Sequence, residues 1–418
     1  MNAYFKSFIN RAAYEAYENT EDLFIAYIED TGDIIYVNDN PATIPYTITS
    51  LEDDATVNTN ECYWSIDGGD TWHYASVNPP KLNTGDSIMF KTTHDAQMRH
   101  PSIDKQYAVG GNIMSLYYTE DYFGSYIPSS DGRLLYHFYI YDTNIINAQN
   151  LIIPDPVPAD DGCFNYMFGE CSNLTHAPEL PATKTYPHCY AGMFADCVNL
   201  THAPSILPAE RVEQEAYTMM FYGCSSLTTP PDLSKIKVVE WSGMHRMFET
   251  SGITSISNMN IVYAASNGLT QLFLGCSGLT DLSNVTINVD KIDGDAGDLF
   301  GGRSGVTNTP HIVLTENNRN LSRDTFWGCS NLTDASGIII DTSNGNLFTD
   351  DWGERMFANC SSLDHFEIYG PEWPRLRADM WDGVASSGTF TVPANTNYTP
   401  EDYLGNGIPS GWTIVRAS

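Results

Sequence analysis

Apolar positions in the second half of the chain recur in one short pattern. A phenylalanine is followed three residues later by cysteine and six residues later by leucine, as in "MFGECSNLT" and "MFADCVNLT". Eight copies align, and the seven steps from the first phenylalanine to the last span 189 residues, a mean period of 27. A period of this size predicts a solenoid of the leucine-rich-repeat type. The aligned anchors are Phe168, Cys171, Leu174, Phe194, Cys197, Leu200, Phe221, Cys224, Leu227, Phe248, Phe273, Cys276, Leu279, Phe300, Phe326, Cys329, Leu332, Phe357, Cys360 and Leu363.

Each repeat predicts the same three elements. These are a strand around the Leu-Thr pair, a turn at the following proline, and a short helix that ends at Met-Phe. In "CFNYMF" and "CYAGMF" the cysteine and the methionine are four residues apart, which places them on one face of a helix. Because one repeat cannot cover its own apolar face, neighbours must stack. With strands ~4.8 Å apart, eight repeats predict a slab roughly 35–40 Å long.

The cysteine position indicates packing rather than chemistry. It holds cysteine in six copies, but Ser251 and Arg303 in the other two. A column of small buried residues tolerates such changes at distorted repeats, and free cysteine behaves as a small buried hydrophobe. Metal binding or redox chemistry is the alternative, but the chain has no C-x-x-C pair of the kind that zinc sites use. We therefore expect reduced, buried thiols.

The front of the chain follows a different pattern. Residues 4–19 predict an amphipathic helix, and "FIAYIEDTGDIIYV" predicts a β-hairpin. Residues 44–142 carry short aromatic strands between Gly and Asp turns, which indicates a β-sandwich. A lone hairpin is marginal in water, so this segment needs a partner surface: another copy, another protein, or its own sandwich. The predicted anchoring residues are Tyr4, Phe5, Phe8, Tyr14 and Tyr17.

Charge narrows the possible partners. The chain has 418 residues, 42% of them apolar, with 52 acidic against 20 basic residues and a formal net charge of −32. Such a charge repels phosphate backbones and anionic lipid, so nucleic-acid binding is not expected. We identify no signal peptide and no apolar stretch of membrane-spanning length, so we expect synthesis in a cytoplasm without membrane insertion. Nine cysteines, an odd number, argue against a complete disulfide framework.

One motif is shared with an enzyme family, but the motif itself is not catalytic. "SIDGGDTW", from Ser65 to Trp72, fits the Asp-box pattern found in sialidase propellers. An Asp box is a hairpin turn in which Ser65 and Asp67 would tie the loop above Trp72. A sialidase would need several boxes together with its arginines and a tyrosine nucleophile. No Ser-His-Asp set, phosphate-binding Gly-Lys loop or H-E-x-x-H motif is present, so no catalytic residues and no cofactor are predicted.

Two further groups have alternative interpretations. "DKIDGDAGD", from Asp290 to Asp298, has four carboxylates that could bind Ca²⁺, but it lacks EF-hand spacing. A solvated loop between repeats is the favoured interpretation. His176 and His202 occupy equivalent positions and could stack, which indicates surface residues more than a zinc site, because a third ligand is missing. No metal site is therefore predicted.

Several segments resemble a known family. "CYAGMFADCVNLTHAPSILPA" resembles the BspA-type leucine-rich repeats of gut Bacteroides surface proteins and their phages. Residues 381–415 look like the C-terminal cap of those arrays, and "VGGNIMSLYY" resembles the segment before them. The first forty residues look like N-terminal modules on fibres of gut Bacteroides phages, including crAss-like phages. The resemblance implies an adhesion scaffold on a cell surface or virion, without enzymatic activity.

Together these observations predict a mainly β protein with short helices, in four parts. The parts are an anchoring and oligomerisation module (1–43), a β-sandwich (44–145), a BspA-type solenoid (146–370) and a C-terminal cap (371–418). We expect a phage head or tail fibre on the virion surface, assembled in the host cytoplasm. Its expected partners are capsid or tail proteins, a second or third copy of itself, and a host surface or glycan. The alternatives are a bacterial surface adhesin and, more distantly, a sialidase-like glycosidase.

Overall fold

The computed structural model describes residues 45–60, 62–92, 101–116, 135–153, 162–302, 305–315, 317–341, 353–369 and 372–417, together with the backbone of three strands nearer the N-terminus. This part of the chain is mainly β and contains no α-helix. Its helical elements are single 3₁₀ turns at Ile113–Leu116, Arg319–Ser322, Ala378–Trp381 and Pro400–Tyr403.

The first three strands form a small sheet. β1 (Tyr4–Phe8) runs parallel to β2 (Phe24–Ile28), and β2 pairs antiparallel with β3 (Asp33–Val37), which is the pairing predicted for the hairpin. The predicted helix is wrong over residues 4–8, because they form a strand; residues 9–19, with Tyr14 and Tyr17, lie outside the described residues. The backbone of β3 approaches a later strand of this chain, β11 (Ile145–Ile152).

Eight strands follow in the next part of the chain: β4 (Tyr46–Ser50), β5 (Val57–Asn58), β6 (Tyr63–Ser65), β7 (His73–Tyr74), β8 (Ser87–Lys91), β9 (Ser102–Ile103), β10 (Tyr107–Asn112) and β11 (Ile145–Ile152). Six of them form a mixed sheet in the order β11-β10-β4-β8-β6-β7, in which every pair is antiparallel except β10 with β11. All residues of β4 and β10 are buried. A separate two-stranded ladder joins β5 to β9.

This region differs from the predicted β-sandwich, because its described residues form one large sheet rather than two facing sheets of similar size. The predicted boundary at residue 145 also differs from the structure, because β11 crosses it and contacts both the sheet and the first repeat. β11 pairs with β10, while its Ala148 amide donates to the carbonyl of His176 in the first repeat. The buried residues of the sheet and of the repeats consequently form one continuous core.

A β-solenoid of about seven turns covers residues 211–416. Strands of successive turns pair parallel and in register, and parallel bridges through His202 and His176 continue the stacking back to β11. The strands are β12 (Arg211–Val212), β13 (Val238–Val239), β14 (Met259–Ile261), β15 (Tyr263–Ala264), β16 (Ile287–Val289), β17 (Ile312–Leu314), β18 (Ile338–Ile340), β19 (His365–Glu367), β20 (Thr389–Val392) and β21 (Thr413–Arg416).

The predicted short helices are wrong, because the segments before each Met-Phe are tandem β-turns. The backbone amides alternate between an acceptor in their own turn of the solenoid and an acceptor in the next turn. The Met167 N–H donates to Phe164 O at 3.1 Å, within the turn, whereas the Phe168 N–H donates to Met193 O at 2.9 Å, in the next turn. Every fourth residue has positive φ, as at Tyr166 (50°) and Glu170 (60°), which an α-helix cannot accommodate. Every second amide is thereby satisfied by the neighbouring turn, which an isolated helix cannot achieve.

An aromatic column runs through the core of the repeats. Each repeat phenylalanine stacks on the next, with centroids 5.4–5.7 Å apart and ring planes within 15°. Tyr139 extends the column at one end, 4.9 Å from Phe168, and Trp381 extends it at the other, 5.5 Å from Phe357. These distances suit offset stacking of aromatic rings. We call these ten rings the aromatic spine; its members are Tyr139, Phe168, Phe194, Phe221, Phe248, Phe273, Phe300, Phe326, Phe357 and Trp381.

Candidate adhesive surface

The predicted repeat anchors lie in the core. All eight repeat phenylalanines and all six leucines, from Leu174 to Leu363, have no exposed surface. They therefore position the polar residues between them, and the candidate binding groups must be sought on the outside of the turns.

The six cysteines at the repeat position are buried, and each makes the same contact. The thiol of Cys171 donates to the carbonyl of Tyr139 at 3.0 Å, and Cys197 does the same to Phe168 at 3.0 Å. Equivalent bonds of 3.0–3.4 Å join the thiols of Cys224, Cys276, Cys329 and Cys360 to the spine carbonyls of the preceding turn. The sequence indicated a small buried residue, but it did not reveal this donor role.

One of the two substitutions at the cysteine position lies among the described residues. Ser251 is also buried, and its hydroxyl lies 3.6 Å from the sulfur of Cys276. Arg303 lies outside the described residues. Burial raises the pKa of the Cys276 thiol to about 12. A thiol that is protonated at neutral pH serves as a hydrogen-bond donor and is a poor nucleophile or metal ligand.

Outside the core, the residue after each Leu-Thr pair forms a polar column. His176 and His202 stack with centroids 4.0 Å apart and planes within 7°. Each Nδ1 lies 2.9 Å from the hydroxyl of the preceding threonine, Thr175 or Thr201. Those threonines in turn donate to main-chain carbonyls of the preceding turn. The predicted stacking of the two histidines is confirmed, and the hydrogen bonds fix both rings at the surface.

The same column continues along the array with other polar residues. Parallel bridges link Asp281 to Asn308, Asn308 to Asp334, and Asp334 to His365. Sequence reasoning missed this half of the column because its residue types vary, although its position after Leu-Thr or its equivalent was available as a signal. Among the described residues, no three histidine, cysteine or acidic side chains gather closely enough to hold a metal ion. The arrangement instead presents hydrogen-bonding groups once per turn.

The acidic segment from Asp290 to Asp298 is spread out rather than gathered. The carboxylate of Asp293 binds Lys291 at 3.0 Å, and that of Asp295 contacts Arg323 at 3.3 Å. Burial, with the charge of Asp324, raises the pKa of Asp298. Since these carboxylates face different partners, their geometry favours the solvated-loop interpretation over a calcium site.

The Asp-box motif forms the predicted tied turn between β6 and β7. Ser65 Oγ donates to Asp67 Oδ1 at 2.6 Å and accepts from the Gly69 amide at 3.0 Å, and the Thr71 amide donates to Asp67 Oδ1 at 2.9 Å. The Trp72 ring packs against Gly69. The side-chain oxygens of Ser65 and Asp67 thus tie the turn, as the motif predicted.

A polar cleft of about 540 Å³ opens beside β14, β16 and β17. Its wall includes Lys237, Asp290 and Thr315, and two asparagines from successive turns, Asn260 and Asn288, are joined by a 2.9 Å amide–amide bond. The described residues around it thus offer amides, one ammonium and one carboxylate at turn spacing. This suits hydrogen bonding to an extended polar ligand.

No protein-family model matches the chain, and comparison with curated proteins and with solved structures gave no significant match. Within the described parts of the chain, none of the helices has the length and apolar character needed to cross a bilayer.

Proposed function

We propose that this protein is a non-enzymatic structural protein of a bacteriophage virion, a head or tail fibre. Its solenoid is of the BspA leucine-rich-repeat type, with about eight repeats of 27 residues and a C-terminal cap over residues 371–418. The solenoid projects outward and binds a host surface or gut glycans. Residues 1–43 attach it to capsid or tail proteins and join two or three copies.

The aromatic spine is the observation that supports this proposal most directly. Ten stacked rings and in-register parallel strands make a continuous rod in which each turn contacts only its neighbours. Such a rod holds its outer residues at a fixed spacing, as adhesion to a repetitive ligand requires. The polar column and the cleft beside β14 supply suitable groups.

The net charge of the chain also favours a neutral, hydroxyl-rich partner. A net charge of −32 disfavours nucleic acid and anionic lipid, while hydroxyl-rich neutral surfaces remain available. The hydrogen-bonding groups on the turns include amides, imidazoles and hydroxyls together with the carboxylates of Asp281 and Asp334, and all of these can bond the hydroxyls of an uncharged polar ligand.

Removal of residues 1–40 tests the attachment. Because β3 approaches β11, the melting curve of the purified truncated protein is compared first with that of the full chain. We expect the truncated protein to fold, since the sheet and solenoid share their own core, and to be missing from particles purified from infected cells, as measured by immunoblot. The full-length variant Trp327→Ala, which changes an exposed residue of the array, should join particles normally.

Incorporation of the folded, truncated protein at the full-length level would contradict the anchoring role. It would favour the alternative of a bacterial surface adhesin.

A further inference from the structure

A second cleft, of about 490 Å³, lies in the C-terminal region of the chain. One wall is aromatic: the rings of Trp373 and Tyr403 stack with centroids 4.0 Å apart and planes within 17°, and Tyr398 meets Trp373 edge-on at 5.4 Å. The half-buried Tyr403 lines the cleft, with its ring stacked on Trp373 and in edge-to-face contact with Tyr398 at 5.9 Å.

This aromatic wall is held rigidly. Trp373 is 8% exposed and contacts Phe390 of β20, with ring centroids 6.5 Å apart. Gly407, at φ 104°, lets the backbone approach the Trp373 ring so closely that an added Cβ would lie 2.7 Å from it. The Gly407 carbonyl accepts a 2.9 Å bond from the indole N–H of Trp381, the last ring of the spine. The wall is therefore fixed before any ligand binds, which reduces the ordering cost of binding.

Polar side chains surround the aromatic wall. Glu372 accepts a hydrogen bond from the side-chain amide of Asn397, and Asn397 and Asn406 are both exposed at the cleft. Arg375, an exposed residue with φ 50°, also lines the cleft. The cleft thus combines a carboxylate acceptor, a guanidinium donor and two amides that both donate and accept.

We propose that this cleft binds a neutral hexose unit of a glycan. A pyranose ring carries C–H groups on one face, which pack on an aromatic ring, and hydroxyls at its edge, which need donors and acceptors together. Tyr403 would receive the C–H face, and Glu372, Asn397 and Asn406 would bond the hydroxyls. A neutral sugar is favoured over an acidic one because the carboxylate of Glu372 offsets the guanidinium of Arg375 at the cleft, while the chain as a whole carries a net charge of −32. This inference rests on the proposed function, for which it names one ligand class and one binding site.

Affinity electrophoresis of the purified full chain tests the proposal, with amylopectin, α-mannan and β-galactan as neutral probes and polygalacturonate as the acidic probe. We expect retardation by at least one neutral polysaccharide. Tyr403→Ala should weaken the apparent affinity roughly tenfold or more, as for an aromatic hot spot. Since Tyr403→Ala also removes packing on Trp373, Asn397→Ala and Asn406→Ala provide exposed variants that leave the aromatic wall intact and should weaken binding several-fold.

Two controls separate binding from folding. Trp241→Ala and Trp327→Ala each remove an exposed aromatic residue of the array outside the cleft; both should bind as the wild type does. The proposal is overturned if no neutral probe retards the protein, if only polygalacturonate does, or if Tyr403→Ala and both asparagine variants bind unchanged. Because the assay uses purified protein, its failure leaves the particle-incorporation result unaffected.

Discussion

Truncation of one ring in the aromatic spine should destabilise the solenoid strongly but locally. Phe221 has no exposed surface and lies between Phe194 and Phe248, with both centroids 5.5 Å away. Phe221→Ala creates a cavity that costs about 3–5 kcal/mol for a buried phenylalanine. The two lost ring contacts contribute ~0.5–1.5 kcal/mol each beyond area burial, so we expect the upper part of that range.

Hydrogen exchange followed by mass spectrometry measures where the damage falls. The Phe221 amide donates to Met247 in the next turn, and the Phe194 amide donates to Met220 in the mutated turn. Because turns contact only their neighbours, exchange should rise most in the turns around residues 194–248 and least near β11 and the last strands, β20 and β21. Urea denaturation of the same variant gives the total loss of stability.

Two variants serve as matched controls for this experiment. Phe221→Leu keeps most of the volume and should cost clearly less, while Trp241→Ala changes an exposed ring and should stay within about 0.5 kcal/mol of wild type. A loss below about 1 kcal/mol for Phe221→Ala would refute the packing argument. Exchange that rises equally along the whole chain would refute the solenoid argument.

Three further predictions concern titratable groups. Burial raises the pKa of Cys189 and of Cys276 to about 12, so iodoacetamide at pH 7.5 should alkylate both thiols only after denaturation; rapid native labelling by mass spectrometry would contradict this. Burial and Asp324 raise the pKa of the half-buried Asp298, so its charge costs stability above that raised pKa. Asp298→Asn should therefore raise the melting temperature at pH 7, and the gain should vanish as the pH falls below the ordinary pKa of 3.8. The buried hydroxyl of Tyr398 has no hydrogen-bond partner among the described residues, so Tyr398→Phe should melt at or above the wild-type temperature; a clearly lower value would show a partner for that hydroxyl.

The sequence by itself determined the repeat and its buried positions. The spacing of Phe168, Phe194 and their successors sets one aromatic ring per turn, because a solenoid buries equivalent residues in equivalent places. The burial of the cysteines followed from their neighbours and from the tolerated Ser251. The Asp-box turn around Asp67 and the pairing of β2 with β3 were also available from local pattern, because both depend on contacts close in sequence.

The tertiary structure decided how the backbone is hydrogen-bonded and where a ligand could bind. A four-residue period of buried positions, as at Cys163 and Met167, fits both a short helix and tandem turns. Only the carbonyls of the next turn, such as Met193 O, select the turns, since they take every second amide. The same stacking gives each cysteine thiol its acceptor. In the C-terminal cleft, Trp373 and Tyr403 stack although they are thirty residues apart in the chain. No local pattern encodes that contact, because it arises from the packing of the last turns.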